Sequence, residues 1–317
     1  MQRRTFLAAS LGLPAILKGA PASAAEDKLT VLLEWFVNPD HAPLVLAKEL
    51  GLFAKHGLAV DLVPPADPSA PPRLLAAGQA DIAVHYQPNL YLDVANGLPL
   101  VRFGTLVSSP LNTLIVLEDG PVKTLADLKG RRIGYSVSGF EEALIGRMLG
   151  STGLNATDVE LVNVNFSLSP SLLAGSVDAI IGGYRNFELT QIAIEGRKGR
   201  AFLPEEHGVP LYDELIYATR RDLLGDPRLP RFLAAVEEAT TRLLADRQAG
   251  WALFLQAHPD LDDRLNRQAF TDTVPLLAKR PGALDKERYA EFGAFLKERG
   301  LIEAAPPVDA VAVELRA

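Results

Sequence analysis

Short apolar runs alternate along the chain with stretches whose apolar positions recur at helical spacing. The runs at residues 29–35, 59–63, 81–84 and 100–107 predict strands, and residues 41–50, 73–78 and 87–96 predict helices. Gly51 and Gly97 punctuate the first and last of these helices, and residues 64–72 form a Pro-rich loop. A second unit begins near Leu111. It predicts strands at 114–117, 132–135, 159–164, 179–181 and 215–219, and helices at 124–129, 138–149, 170–175 and 188–195, with Thr124 as an N-cap. Residues 230–299 are mostly helical in pattern, and 308–315 form a tail without strong periodicity. Strand–helix alternation of this kind predicts parallel sheets covered by helices on both faces.

The two units repeat a theme. Gly78-Gln79-Ala80-Asp81-Ile82-Ala83 matches Gly175-Ser176-Val177-Asp178-Ala179-Ile180, each a helix ending in Gly followed by a strand that opens at or just after Asp. Such a turn suits any helix-to-strand join, but two copies at equivalent places predict two similar lobes. The expected architecture is α/β, with residues 25–111 and 216–317 in one lobe and 112–215 in the other. Crossings near 109–114 and 213–219 would form a hinge that lets the lobes close on a ligand. Ligands of α/β sheets sit beyond the C-terminal strand ends, which selects the loops after Leu33, Val84, Ile133 and Ile181.

Residues 1–24 read as a leader, with Arg3 and Arg4 ahead of a short apolar stretch and Ala22-Ser23-Ala24 as a cleavage site. Arg3-Arg4-Thr5-Phe6-Leu7 is similar to a twin-arginine export signal, and the apolar stretch is too short to span a membrane. The expectation is a soluble protein in the periplasm with no membrane insertion. The formal charge of −7 falls by three to −10 when Arg3, Arg4 and Lys18 leave with the leader. An acidic chain argues against nucleic acid as partner. The absence of cysteine excludes disulfides, thiolate metal sites and a cysteine nucleophile, and with them a lipid-anchored leader.

The strand-end loops carry the candidate chemistry. The 34–41 loop holds Trp35, Asn38 and His41 ahead of a helix, where Asn38 or Asp40 could equally be an N-cap. Tyr86 at the next strand tip suits a stacking platform. Ser136 and Ser138 lie at a helix start, as an acceptor site or as simple caps, and the spacing is not that of a nucleophile elbow. Gly182-Gly183 permits close approach, with Tyr184 and Glu188 following on a loop, although a solvated helix face accommodates Glu188 as well. Tyr212-Asp213-Glu214 lies at the second crossing, and a carboxylate closed into a cleft needs a partner with donors or positive charge.

These loops resemble solute-binding proteins of the thiamine-pyrimidine-biosynthesis/sulfonate-binding superfamily, closest to the formylaminopyrimidine-binding proteins of ABC importers. The resemblance rests on Trp35 with residues 38–44, on Ala47-Lys48-Glu49-x-Gly51-x-Phe53 and Gly57-Leu58, on Tyr86-Gln87-Pro88, on Gly183-Tyr184-x-Asn186-x-Glu188 and on residues 212–215. It implies a two-lobe periplasmic binding fold of type II and an aminopyrimidine stacked between Trp35 and Tyr184 with Tyr86 lining the pocket. Asn38, His41 and Glu188 would supply polar contacts. It also implies delivery to an ABC permease and its ATPase subunit, without cofactor or metal, by a monomer that opens and closes. Arg185, Phe187 and the 136–139 loop depart from the pattern, and the superfamily includes binders of flavin precursors, sulfonates and nitrate. A sensor docking on a membrane receptor would share the same sequence. Eukaryotic relatives of this fold are pyrimidine synthases with a cysteine-rich iron motif, which this chain lacks, and none of its five histidines has metal-ligand spacing. Arg185 is the only cation in the candidate loops, against Glu34, Asp40, Glu188 and Glu214, which favours a neutral or donor-rich heterocycle over an anion.

Overall fold

The computed structural model describes residues 26–316. The expected leader and its cleavage site lie outside the described residues. The chain runs β1 (Asp27–Leu32), α1 (Ala42–Glu49), α2 (Leu52–Lys55), β2 (Leu58–Val63), α3 (Pro71–Ala76), β3 (Ile82–His85), α4 (Gln87–Ala95) and β4 (Leu100–Val107). It continues through β5 (Asn112–Leu117), β6 (Arg132–Tyr135), α5 (Phe140–Gly150), β7 (Glu160–Asn163), α6 (Leu168–Leu173), β8 (Ala179–Tyr184), α7 (Glu188–Ile194) and β9 (Gly199–Phe202). Then come β10 (Leu215–Arg220), α8 (Arg228–Ala245), α9 (Arg247–Ala257), α10 (Arg264–Thr273), α11 (Lys286–Glu298) and α12 (Val308–Val311).

Two five-stranded sheets result, ordered β2-β1-β3-β10-β4 and β7-β6-β8-β5-β9. Each is mixed, not parallel as the alternation predicted. β10 runs antiparallel to β3 and β4, and β5 runs antiparallel to β8 and β9. The exceptions are the strands that begin directly after a passage between the sheets, where no crossover helix sets a parallel return. The repeated Gly-to-Asp motif does the same work in both sheets. Asp81 accepts from the Thr30 amide at 2.9 Å and Asp178 from the Arg132 amide at 3.0 Å, each tying a new strand to the parallel neighbour beside it.

Several boundaries differ from the sequence reading. β1 stops at Leu32, so Trp35 lies in the following turn, and β8 runs on through Gly182, Gly183 and Tyr184 because it pairs with β5 there. β9, Gly-Arg-Ala-Phe, has too little apolar pattern to read as a strand. The lobes share core as well as crossings. Phe292 and Phe295 of α11 pack with Phe140 and Leu144 of α5. No described helix is long and apolar enough to cross a membrane.

Candidate functional site

A cavity of about 700 Å³, counting its open mouth, lies between the sheets. The first sheet's side supplies Glu34, Trp35, Asn38, Asp40, Tyr86 and Asn89, from the turns after β1 and β3. The second supplies Ser136, Phe140 and Glu141 from the β6–α5 junction, and Gly182, Tyr184, Phe187 and Glu188 from β8 and the start of α7. Asn112, Tyr212 and Glu214 come from the two crossings. Among the described residues, no Lys, Arg or His side chain is on this wall.

The lobes touch across the mouth. Asn186 donates to Asp40 at 2.9 Å and to Thr273 at 2.7 Å, and Asn89 donates to the Ser138 carbonyl at 3.2 Å. The Trp35 ring meets Phe166 edge-on with centroids 4.6 Å apart. Both faces of the cleft are therefore joined in this arrangement.

The electrostatics of the wall are acidic and desolvated. Burial pushes Glu141 up to about 8, with the neighbouring Glu214 charge adding to the effect. Burial likewise carries Glu214 up to about 7 against the Asn112 and Leu111 amides, which it accepts at 2.9 and 2.6 Å. Glu188 rises to about 7 through burial, held back by the Tyr184 amide that it accepts at 2.6 Å. Asp40 rises to about 6 for the same first reason, against the Thr273 hydroxyl. A buried carboxyl shifts this way when no positive partner compensates it. Glu141 Oε2 and the hydroxyls of Tyr184 and Tyr212 are buried without a hydrogen-bond partner. A wall of this kind is built to receive hydrogen-bond donors, with aromatic surface to cover a flat ring.

The sequence profile of the NMT1/THI5-like family matches residues 38–249. The chain belongs to that family. It is 50% identical over 294 residues, 92% of this chain and 94% of the relative, to a Haemophilus influenzae protein whose name assigns it to thiamine biosynthesis. It is 36% identical over 192 residues to the formylaminopyrimidine-binding protein of Halalkalibacterium halodurans, covering 61% and 58% of the two chains. It is 29% identical over 257 residues to the 4-amino-5-hydroxymethyl-2-methylpyrimidine phosphate synthase of Uromyces fabae, covering 77% and 75%. Among solved structures, the alkanesulfonate-binding protein of Xanthomonas axonopodis pv. citri, bound to MOPS, superposes with a TM-score of 0.71 at 20% identity, covering 93% and 100%. The architecture is thus the two-lobe periplasmic binding fold.

In this NMT1/THI5-like chain, seven of the residues singled out from sequence meet on the cavity wall: Trp35, Asn38, Tyr86, Ser136, Tyr184, Glu188 and Glu214. Glu188 is 8% exposed, so the solvated-face alternative does not hold. Asn38 is both wall and cap: its side chain accepts from the Asp40 amide at 2.8 Å. Ser136 caps nothing; it donates to the Asn165 carbonyl, and the N-cap of α5 is Gly139.

Two predicted residues lie elsewhere. Ser138 lines a neighbouring cavity with Arg73, His85 and Asp93. His41 is fully buried behind the wall instead of facing a ligand. Its Nδ1 accepts from the Asn38 amide at 3.2 Å, and its Nε2 meets both Glu34 oxygens at 2.9 Å. Burial disfavours a charged ring and the Glu34 carboxylate more than offsets that, so His41 titrates above its usual value. With the Asn38 bond in place, however, the ring is the neutral tautomer protonated on Nε2. Arg185, the cation noted in the loops, turns away and pairs with Glu205 at 2.7 and 3.0 Å. Glu141 and Phe140 were missed because two acids in the first turn of a helix read as dipole complements. Asn112 was missed because it sits inside a crossing strand.

Proposed function

We propose that this chain is the exported solute-binding component of an ABC importer, closing on a 4-aminopyrimidine of the thiamine-precursor class and presenting it to a permease. Residues 25–111 and 216–317 form one closing lobe and 112–215 the other in this reading. The observation that carries it is the cavity wall: buried carboxyls and aromatic rings, with no cationic side chain on it among the described residues. A sulfonate or nitrate calls for positive charge, and among the described residues this wall offers none. An aminopyrimidine brings what is missing, an exocyclic amine that donates to Glu188 and a flat face for Trp35 and Tyr184.

Binding without turnover fits two further facts. The chain has no cysteine to hold a metal by thiolate, and both ring nitrogens of His41 are already engaged. The test is a thermal-shift panel on protein recovered from the periplasmic fraction, with formylaminopyrimidine, hydroxymethylpyrimidine, thiamine, riboflavin, taurine and nitrate. A rise in Tm with a pyrimidine, and its recovery unchanged by mass spectrometry, supports the reading. A rise with taurine or nitrate alone rejects the ligand class, and a converted pyrimidine rejects the non-catalytic role.

A further inference from the structure

The acidic groups of the cavity come from separate elements. Glu188 at the start of α7 feels the charge of Asp40, while Glu141 at the start of α5 feels that of Glu214. The aminopyrimidine edge read by Glu188 accounts for the first pair and leaves the second unused. At that second pole Glu141 is 5% exposed, its Oε2 has no partner, and the Tyr212 hydroxyl nearby is unpartnered too. Gly182, at φ +89°, faces the carboxyl: a Cβ there would stand 3.7 Å from Glu141 Oε1, so a side chain at this position would begin to fill the space beside it. A purely structural carboxylate at this depth would be paired.

We propose that this second pole receives a primary ammonium carried on a short arm of the ligand ring, lodged between Glu141 and Glu214, and that Glu141 is the residue selecting it. This inference rests on the aminopyrimidine reading above. An ammonium has three donors and no acceptor, matching two carboxyls and an orphan hydroxyl. A hydroxymethyl arm offers one donor. A formylaminomethyl arm offers one donor and brings a carbonyl that must itself be satisfied. The groups facing the pole are Glu141, Glu214 and the Tyr86, Tyr184 and Tyr212 hydroxyls, with Arg185 near Glu214 but committed to Glu205, while the exposed Glu142 acts on Glu141 only through its charge. The ligand therefore supplies the positive charge this pole lacks.

Titration calorimetry on the full protein decides it, with four probes: 4-amino-2-methylpyrimidine and its 5-aminomethyl, 5-hydroxymethyl and 5-formylaminomethyl derivatives. The expected result is a preference of about ten-fold or more for the aminomethyl compound over the other arms. Glu141→Gln, isosteric and free of buried charge, should bring the aminomethyl compound to within about two-fold of the other arms, with Tm showing that the fold is kept. Equal binding of all four probes, tighter binding of the hydroxymethyl or formylaminomethyl compound, or an unchanged preference in Glu141→Gln overturns the ammonium site and leaves the aminopyrimidine reading standing. Failure of every probe, the bare ring included, removes both.

Discussion

Glu188→Gln is the sharpest probe of how the cavity holds a ring. One carboxyl oxygen accepts from the Tyr184 amide at 2.6 Å, and the group as a whole lines the cavity. Glutamine has a single oxygen. If that oxygen keeps the Tyr184 amide, its NH2 points at the ligand's exocyclic amine, donor against donor. If it turns to the ligand, the Tyr184 amide faces the NH2 instead. Either way one hydrogen bond to a charged acceptor is lost, worth about 1.5–3 kcal/mol, or about a 10- to 150-fold rise in Kd. The fold should not suffer, since Gln removes a carboxyl that burial has already pushed up to about 7. Titration calorimetry with the best pyrimidine from the ligand panel, beside a thermal melt of the empty variant, makes the comparison. Affinity within about two-fold of wild type, with Tm retained, would refute the role given to Glu188.

Two further outcomes follow from the buried charges. Asp40, Glu141, Glu188 and Glu214 all titrate above their ordinary values in the joined cleft, so that arrangement holds their protons more tightly than a solvated, open one. The closed form is therefore favoured at pH 5 and loses ground as pH rises to about 8, the last change belonging to Glu141. Small-angle scattering of the empty protein should show expansion over this range, and an unchanged radius of gyration would contradict the assignment. His41→Ala strips Glu34 of its buried hydrogen-bond donor and should destabilise the fold by about 1–3 kcal/mol in a urea melt. A loss below about 1 kcal/mol would mean that Glu34 finds water or another donor instead.

The fold was legible because its strongest signals are local. The Gly-to-Asp motif, the apolar runs at 100–107 and 132–135 and the caps at Asn38 and Thr124 depend on neighbours in sequence, and they recur in the structure. Strand direction was not legible, because β5 and β10 take theirs from the passage between sheets. The site divides the same way. Trp35, Tyr86 and Glu188 stand at strand ends or helix starts, where topology alone points to a ligand. His41 looked identical from the sequence, yet the turn before α1 rotates its ring behind Glu34, a matter of side-chain direction that spacing does not encode. Glu141 carried an ordinary capping signature, and only its burial against Glu214 and Gly182 separates it from Glu142 beside it.

Glu214 stands in two places at once. Its carboxylate clasps the Leu111 and Asn112 amides, so the outgoing and returning strands of the hinge are stapled by one side chain, and the same side chain borders the cavity. Selectivity and mechanical stiffness are thereby written into a single atom group. If the lobes close as proposed, a substitution that retunes the cavity at this position would also alter how freely the halves swing, so a lineage drifting toward a new solute would have an incentive to change Glu141 or Glu188 first and to leave the clasp intact.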